Sequence, residues 1–227
     1  MLFPGFSARD LQQTRQSLSE SICSENFTGP RRSRALLSLR LLQNRELLFQ
    51  LCAGHLSGPA FDAGACAGAL FLAAREAAPF PVGAFQLFPA PVPLPVAGGM
   101  RAFETVFLNL ICNSFQYAGP DPQLQLRVFS NSSHALLLLK DLGPGLSSSV
   151  FFPPTGGLSL ARQFARCCGG TFFCESHPGH GVSALLSLPL ADIVHPAPPP
   201  SVPDLLSDRL SPVFVQLSPH CILPDDR

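Results

Sequence analysis

The sequence predicts an α+β fold, a mixed sheet with helices on one face, preceded by a helical hairpin. Three observations carry this. Residues 31 to 54 hold eight leucines among five arginines, dense enough to cover a broad helical face. Residues 123 to 131 alternate apolar and polar, and 135 to 139 form an unbroken apolar run, which are strand patterns. Helical patterns over Met100–Tyr117 and 157 to 168 are interleaved with these strands. With 227 residues, 46% of them hydrophobic and 13% charged, the chain can bury a sizeable core.

In chain order, residues 8 to 24 read as a polar helix and 31 to 54 as a stronger one. Pro30 stands at the first turn, where a helix tolerates it. A third helix is expected from Asp62, a residue suited to cap its start, to about Ala78. Between Pro81 and Val96, prolines split two short apolar stretches that suit edge strands. In 123 to 131, Leu124, Leu126 and Val128 share one face, while Gln125 and Arg127 share the other. The 157 to 168 helix stops at Gly169-Gly170, and strands 171 to 176 and 182 to 188 turn at Pro178-Gly179. The expected domains are a hairpin over 7–57, a sandwich over 60–190, and a proline-rich linker and tail over 191–227.

Composition excludes several functions. A net charge of +0 lacks the basic surplus of a nucleic-acid binder. No window offers eighteen apolar residues for a membrane span, and the start MLFPGFSARD lacks the pattern of a signal peptide. The chain therefore reads as cytoplasmic, and its eight scattered cysteines as reduced. Cys174, His177 and His180 have a spacing that suits zinc, but no fourth ligand is evident.

Three motifs carry possible chemistry. Asn109, Asn113 and Gln116 fall on one face of the Met100–Tyr117 helix. Amides on a buried face need partners, although the same spacing fits an exposed polar stripe. Asp141-Leu142-Gly143-Pro144-Gly145 follows a buried strand; its carboxylate suits an exocyclic amine, and its glycines allow close approach, though it also fits a plain turn. Thr155-Gly156-Gly157-Leu158 leads into a helix whose free N–H groups suit phosphate.

Taken in order, these motifs resemble the ATP-binding catalytic domain of sensor histidine kinases, of the Bergerat-fold (GHKL) ATPase superfamily. FLNLICNSFQYAG is similar to the asparagine box, DLGPG to the first glycine box, and GGLSLARQFARCCGG with the following hairpin to the second. The resemblance covers about half the chain. It implies an α/β sandwich that binds ATP and Mg²⁺. By position, Asn113 would ligate Mg²⁺, and Asn109 would serve catalysis by organising metal and phosphates. Asp141 would bind the adenine amine, with Gln116, Tyr117, Gly143, Gly145, Gly157 and Leu158 around the nucleotide. It further implies a homodimer through residues 7–57 and a response regulator or phosphorelay protein as partner.

The sequence departs from the family in ways that weaken phosphate handling. Gln116 stands where a lysine is usual, and the short lid LSSSVFFPPTG has no basic residue. The first 54 residues contain no histidine to accept a phosphoryl group, and His55 lacks an acidic neighbour. Two functions are therefore expected: a protein histidine kinase, or an impaired pseudokinase or adaptor that keeps the fold.

Overall fold

In the computed structural model the described residues are 8–23, 29–56, 58–119, 121–145, 156–193 and 195–222. The lid residues 146–155, which include Phe151 and Phe152, lie outside them.

Helices α1 (Ala8–Cys23) and α2 (Gly29–Cys52) form the hairpin. Arg15 of α1 pairs with Glu46 of α2 at 3.2 Å. The broad apolar face of α2 is used within the chain. Leu36, Leu39 and Leu51 are each 1% exposed, and α2 packs on later helices described below. Leu37, Leu41 and Phe49 are left exposed.

Strand β1 (Phe61–Asp62) leads into α3 (Ala63–Ala77). The Asp62 carboxylate caps α3, accepting from the Ala65 amide at 3.0 Å and also from the Leu94 amide at 3.2 Å. One side chain thus fixes both the helix start and the crossing loop. Of the two apolar stretches before Val96, β2 (Phe85–Phe88) becomes an edge strand of the main sheet. The other, β3 (Pro95–Val96), pairs with β1 and bridges Leu190 at Val96.

The remaining main-chain elements are α4 (Met100–Tyr117), β4 (Leu124–Ser130), β5 (His134–Asp141), α5 (Gly157–Cys167), β6 (Thr171–His177) and β7 (Gly181–Pro189). The five-stranded sheet has the order β2-β4-β5-β7-β6. Only β2 and β4 run parallel; the other pairs are antiparallel, so the sheet is mixed. Period-two alternation puts Leu124, Leu126, Val128, Ala135, Leu137, Leu139, Leu186 and Leu188 on the inner face, all buried. Helices α3, α4 and α5 cover that face. Phe103 stacks on Phe107 with ring centroids 5.6 Å apart and meets Phe61 at 5.1 Å, joining α4 to β1. Each such buried ring contributes roughly 1.5–3 kcal/mol.

The segment beyond 190 does not run free as a linker would. Its prolines bar regular pairing, yet the Ala191 amide bonds the Pro95 carbonyl and the Ala197 amide bonds the Ala60 carbonyl. Two short helices follow, α6 (Val202–Ser207) and α7 (Pro212–Gln216). Val213, Phe214, Val215 and Leu217 are 0% exposed, packed among α2, α3 and α4. The apolar run VFVQL is core, which its position after a proline-rich stretch concealed.

Candidate functional site

The site is built around the second half of α4. A helix turns 100° per residue, so Thr105, Asn109, Cys112 and Gln116 share one side of α4, with Asn113 beside them and Ser114 further round. That division determines what each polar side chain meets.

Asn109 is 1% exposed and fully engaged. Its carbonyl oxygen accepts from Arg40 and from Asn44, both on α2 and both at 3.1 Å. Its amide nitrogen lies within hydrogen-bond distance of the Thr105 carbonyl (2.8 Å), the Asn44 Oδ1 (3.0 Å) and the Gln216 Oε1 (3.0 Å). An asparagine amide has two N–H groups and two lone pairs, so this side chain is saturated by protein alone. Gln216 in turn donates to Gln43 of α2 at 3.2 Å. The hairpin, α4 and the tail thus meet at one amide. Arg40, Gln43, Asn44 and Gln216 were not singled out from sequence. The available signal was the i, i+4 pair Arg40–Asn44 on a leucine helix, and a glutamine inside an apolar run.

Asn113 is half-buried and makes no hydrogen bond among the described residues. Gly157, at the entry to α5, lies against it. A Cβ placed on Gly157 would sit 3.5 Å from the Asn113 Nδ2 and 3.3 Å from the Asn109 Oδ1. The glycine-rich helix start and the asparagine face are therefore neighbours. Leu158, next along, is half-buried. Gln116 and Tyr117 are exposed, Tyr117 to 53%.

Asp141 closes β5 and is 3% exposed. Its Oδ1 accepts from the Val182 amide at 3.0 Å and the Gly143 amide at 3.2 Å, and the Ser114 hydroxyl also bonds the carboxylate. Burial pushes its pKa above the ordinary carboxylate value, and these hydrogen bonds only partly offset that. Ser114 is adjacent to Asn113 in sequence, so Asp141, Asn113 and Gly157 all gather around one stretch of α4.

The 141–145 loop is fastened to the β6–β7 turn. The Gly179 amide donates to the Pro144 carbonyl at 2.7 Å. Gly145 has φ +68°, and any Cβ there would collide with the His177 carbonyl. Gly181 has φ +80°, and its Cβ would strike the Asp141 carbonyl. On the other side, a Cβ on Gly143 would lie 2.5 Å from the Ala118 Cα, so the loop runs close along the last turn of α4. The glycines expected to line a nucleotide thus also let the loop pack between helix and hairpin.

Elsewhere, an apolar groove of about 500 Å³ lies between α3, the 87–93 loop and α6, lined by Gly64, Ala65, Gly68, Leu87, Val92 and Val202. It includes neither Asn113 nor Asp141. Among the described residues, no three His, Cys, Asp or Glu side chains come together as a metal set, Cys174, His177 and His180 included. No helix among them is long and apolar enough to cross a membrane.

Comparison with solved structures places this architecture. The chain is similar to the Acinetobacter baumannii histidine kinase AdeS, with 18% identity, a TM-score of 0.54, and coverage of 81% of this chain and 97% of that one. Lower likenesses occur to the catalytic domain of histidine kinase ThkA in a nucleotide-free form (18% identity, TM-score 0.48, 58% of this chain and 96% of that one). Another is to the ATP binding domain of PrrB from Mycobacterium tuberculosis (24% identity, TM-score 0.46, 59% and 98%). No family model and no curated protein matches the sequence. The chain has an α/β-sandwich fold of the kind found in the histidine kinase AdeS.

Proposed function

We propose that this chain is a histidine-kinase-like protein that binds ATP with Mg²⁺ between the 141–145 loop, α4 and the start of α5, and that any γ-phosphoryl it transfers goes to a histidine outside the chain. The buried carboxylate of Asp141 is the observation that carries this reading. A buried carboxylate is costly unless hydrogen-bonded. Backbone amides engage one of its oxygens, and the second offers acceptor capacity of the kind an adenine amine satisfies.

The residues suit the metal as well. Mg²⁺ takes oxygen ligands and keeps several waters, so one protein amide oxygen together with phosphates is enough. Asn113, whose side-chain amide lies beside Gly157, would supply that oxygen. The metal's contribution would be to neutralise charge on the phosphates. Gly143 and Gly145 shape the adenine end, Gly157 and Leu158 the phosphate end, with Gln116 and Tyr117 at the rim. Asn109 acts on catalysis only indirectly, by holding α4 against α2 and α7.

His55 is a poor acceptor. It is exposed just beyond α2, whose Leu51 carbonyl lies 3.1 Å from the Cys167 Sγ at the C-terminal end of α5. The phosphate end is at Gly157, about 15 Å away along the same helix at about 1.5 Å per residue. A partner carrying the histidine, a response regulator or phosphorelay protein, is therefore expected. A homodimer through residues 7–57 would use Leu37, Leu41 and Phe49, since Leu36, Leu39 and Leu51 are already buried within the chain.

A second reading, a pseudokinase or phosphorelay adaptor, is favoured by one observation: the Asn109 amide has no capacity left for a ligand. Titration calorimetry with ADP and ATP, with and without Mg²⁺, tests the first reading. Wild type should bind both, and Asp141→Asn should bind both more weakly. A folded wild-type chain that binds neither would leave the adaptor reading standing.

A further inference from the structure

We propose that Cys52, at the end of the hairpin helix α2, and Cys167, at the end of α5, form a reversible disulfide that ties the hairpin to the sandwich when the chain meets a small-molecule disulfide. The inference is independent of the nucleotide reading above.

The two helices end side by side. Cys52 is the last residue of α2 and Cys167 the last of α5. The Cys167 Sγ donates to the Leu51 carbonyl at 3.1 Å, and the Gln163 side-chain amide, one turn earlier on α5, reaches the same carbonyl at 3.4 Å. That carbonyl belongs to the peptide bond that joins Leu51 to Cys52. In a trans peptide the oxygen lies about 2.8 Å from the next Cα, so the Cys167 sulfur is within about 6 Å of the Cys52 Cα. A disulfide sets its Cα atoms about 4.4–6.8 Å apart, a separation that two helix ends in this contact reach by side-chain rotation and a small shift of the last turn. The electrostatics agree. Burial is the main cause that raises the Cys167 pKa, and the neighbouring Cys52 sulfur is the next.

The pair divides into an attacking and a resolving thiol. Cys52 is exposed and Cys167 half-buried. Cys168 faces another way, its Sγ 3.5 Å from where a Cβ on Gly98 would sit, and burial pushes its pKa up to about 12. The Cys52 thiolate attacks one sulfur of the small disulfide, forms a mixed disulfide and expels one thiolate. Cys167 then gives up its proton, and its sulfur attacks the Cys52 sulfur and expels the second. Two protein thiols lose two electrons, and the small disulfide is reduced to two thiols. The middle of α2 is already clasped to α4 through Arg40, Asn44 and Asn109. The bridge fastens its C-terminal end as well, so the hairpin is no longer free to move against α5.

The test equilibrates the full chain in buffers of oxidised and reduced glutathione, for wild type, Cys52→Ser, Cys167→Ser and Cys168→Ser. Intact mass, peptide mapping without reduction and thermal melting are the readouts. Wild type should lose two hydrogens, yield a Cys52–Cys167 linked peptide and melt roughly 5–15 °C above the reduced chain, a gain that dithiothreitol reverses. Cys168→Ser should behave in the same way. Cys52→Ser should form no bridge, and Cys167→Ser should stop at a glutathione adduct on Cys52. A serine hydroxyl keeps the hydrogen bond to the Leu51 carbonyl, so that variant should melt as the reduced wild type does. The proposal is overturned if wild type stays reduced, if it accumulates the Cys52 adduct without closing the bridge, or if Cys52 pairs with Cys168 or with a second chain. A bridge that leaves the midpoint unchanged would refute the tethering.

Discussion

Replacing Asn109 with leucine should destabilise the protein far more than a single polar-to-apolar change on a helix would. Leucine fills a similar volume but removes the amide that joins α2, α4 and α7. It strands the Asn44 amide, the Gln216 carbonyl and one Arg40 N–H, which currently bond Asn109 at 3.0–3.1 Å. Each buried group left unsatisfied costs roughly 1–3 kcal/mol. Allowing for relaxation of Arg40 and the gain from burying leucine, the net loss is about 3–5 kcal/mol. For a chain of this size that lowers the melting midpoint on the order of 10 °C. Urea unfolding gives the free energy and a thermal scan the shift. The Asn109→Leu, Gln216→Leu pair should cost less than the sum of the single changes, because Gln216 is no longer stranded. A midpoint within about 3 °C of wild type, under 1 kcal/mol, would refute the claim that this amide clasps the three elements.

Further outcomes follow from the site. Asp141 has a raised pKa in the folded chain, so its contribution to stability is full below the ordinary carboxylate pKa, about 3.9, and declines as pH rises through the raised value. Asp141→Asn should therefore remove a fall in melting temperature across that window; an unchanged pH profile would count against it. Nucleotide affinity should move the opposite way, weakening on acidification as the acceptor protonates, which calorimetry across pH reads directly. Gly181→Ala should lose stability heavily, since a side chain there faces φ +80° and the Asp141 carbonyl; near-wild-type melting would show that the hairpin turn gives way. With γ-labelled ATP, the isolated chain should gain no acid-labile label, and label that vanished in His55→Ala would restore self-phosphorylation.

The sheet was legible because its alternation is strict: Leu124, Leu126 and Val128 fall inward and Arg127 outward with no exception. The Asp62 cap was legible because its chemistry is local, spanning three residues. Asp141, Asn113 and Gly157 could be paired through motif order, and they do gather around α4. Nothing local marks the Arg40–Asn109–Gln216 meeting, because its members are 69 and 107 residues apart in sequence. The tail misled for a related reason. Proline density signals an open chain, yet a few backbone bonds at Ala191 and Ala197 suffice to lead it back to the core. The carbonyls and amides that make those bonds carry no signature in residue type.

The position of α7 bears on how the protein is made. Val213, Phe214 and Val215 fill the core, and Gln216 completes the amide cluster on α4. They are synthesised well after α2 and α4, the helices that they cover. Synthesis at roughly 5–20 residues per second leaves the leucine face of α2 and the back of α4 waiting several seconds for their final cover. Until then that apolar surface is open to chaperones or to other nascent chains. A chain stopped just before Val213 would carry every nucleotide motif with its core unfinished.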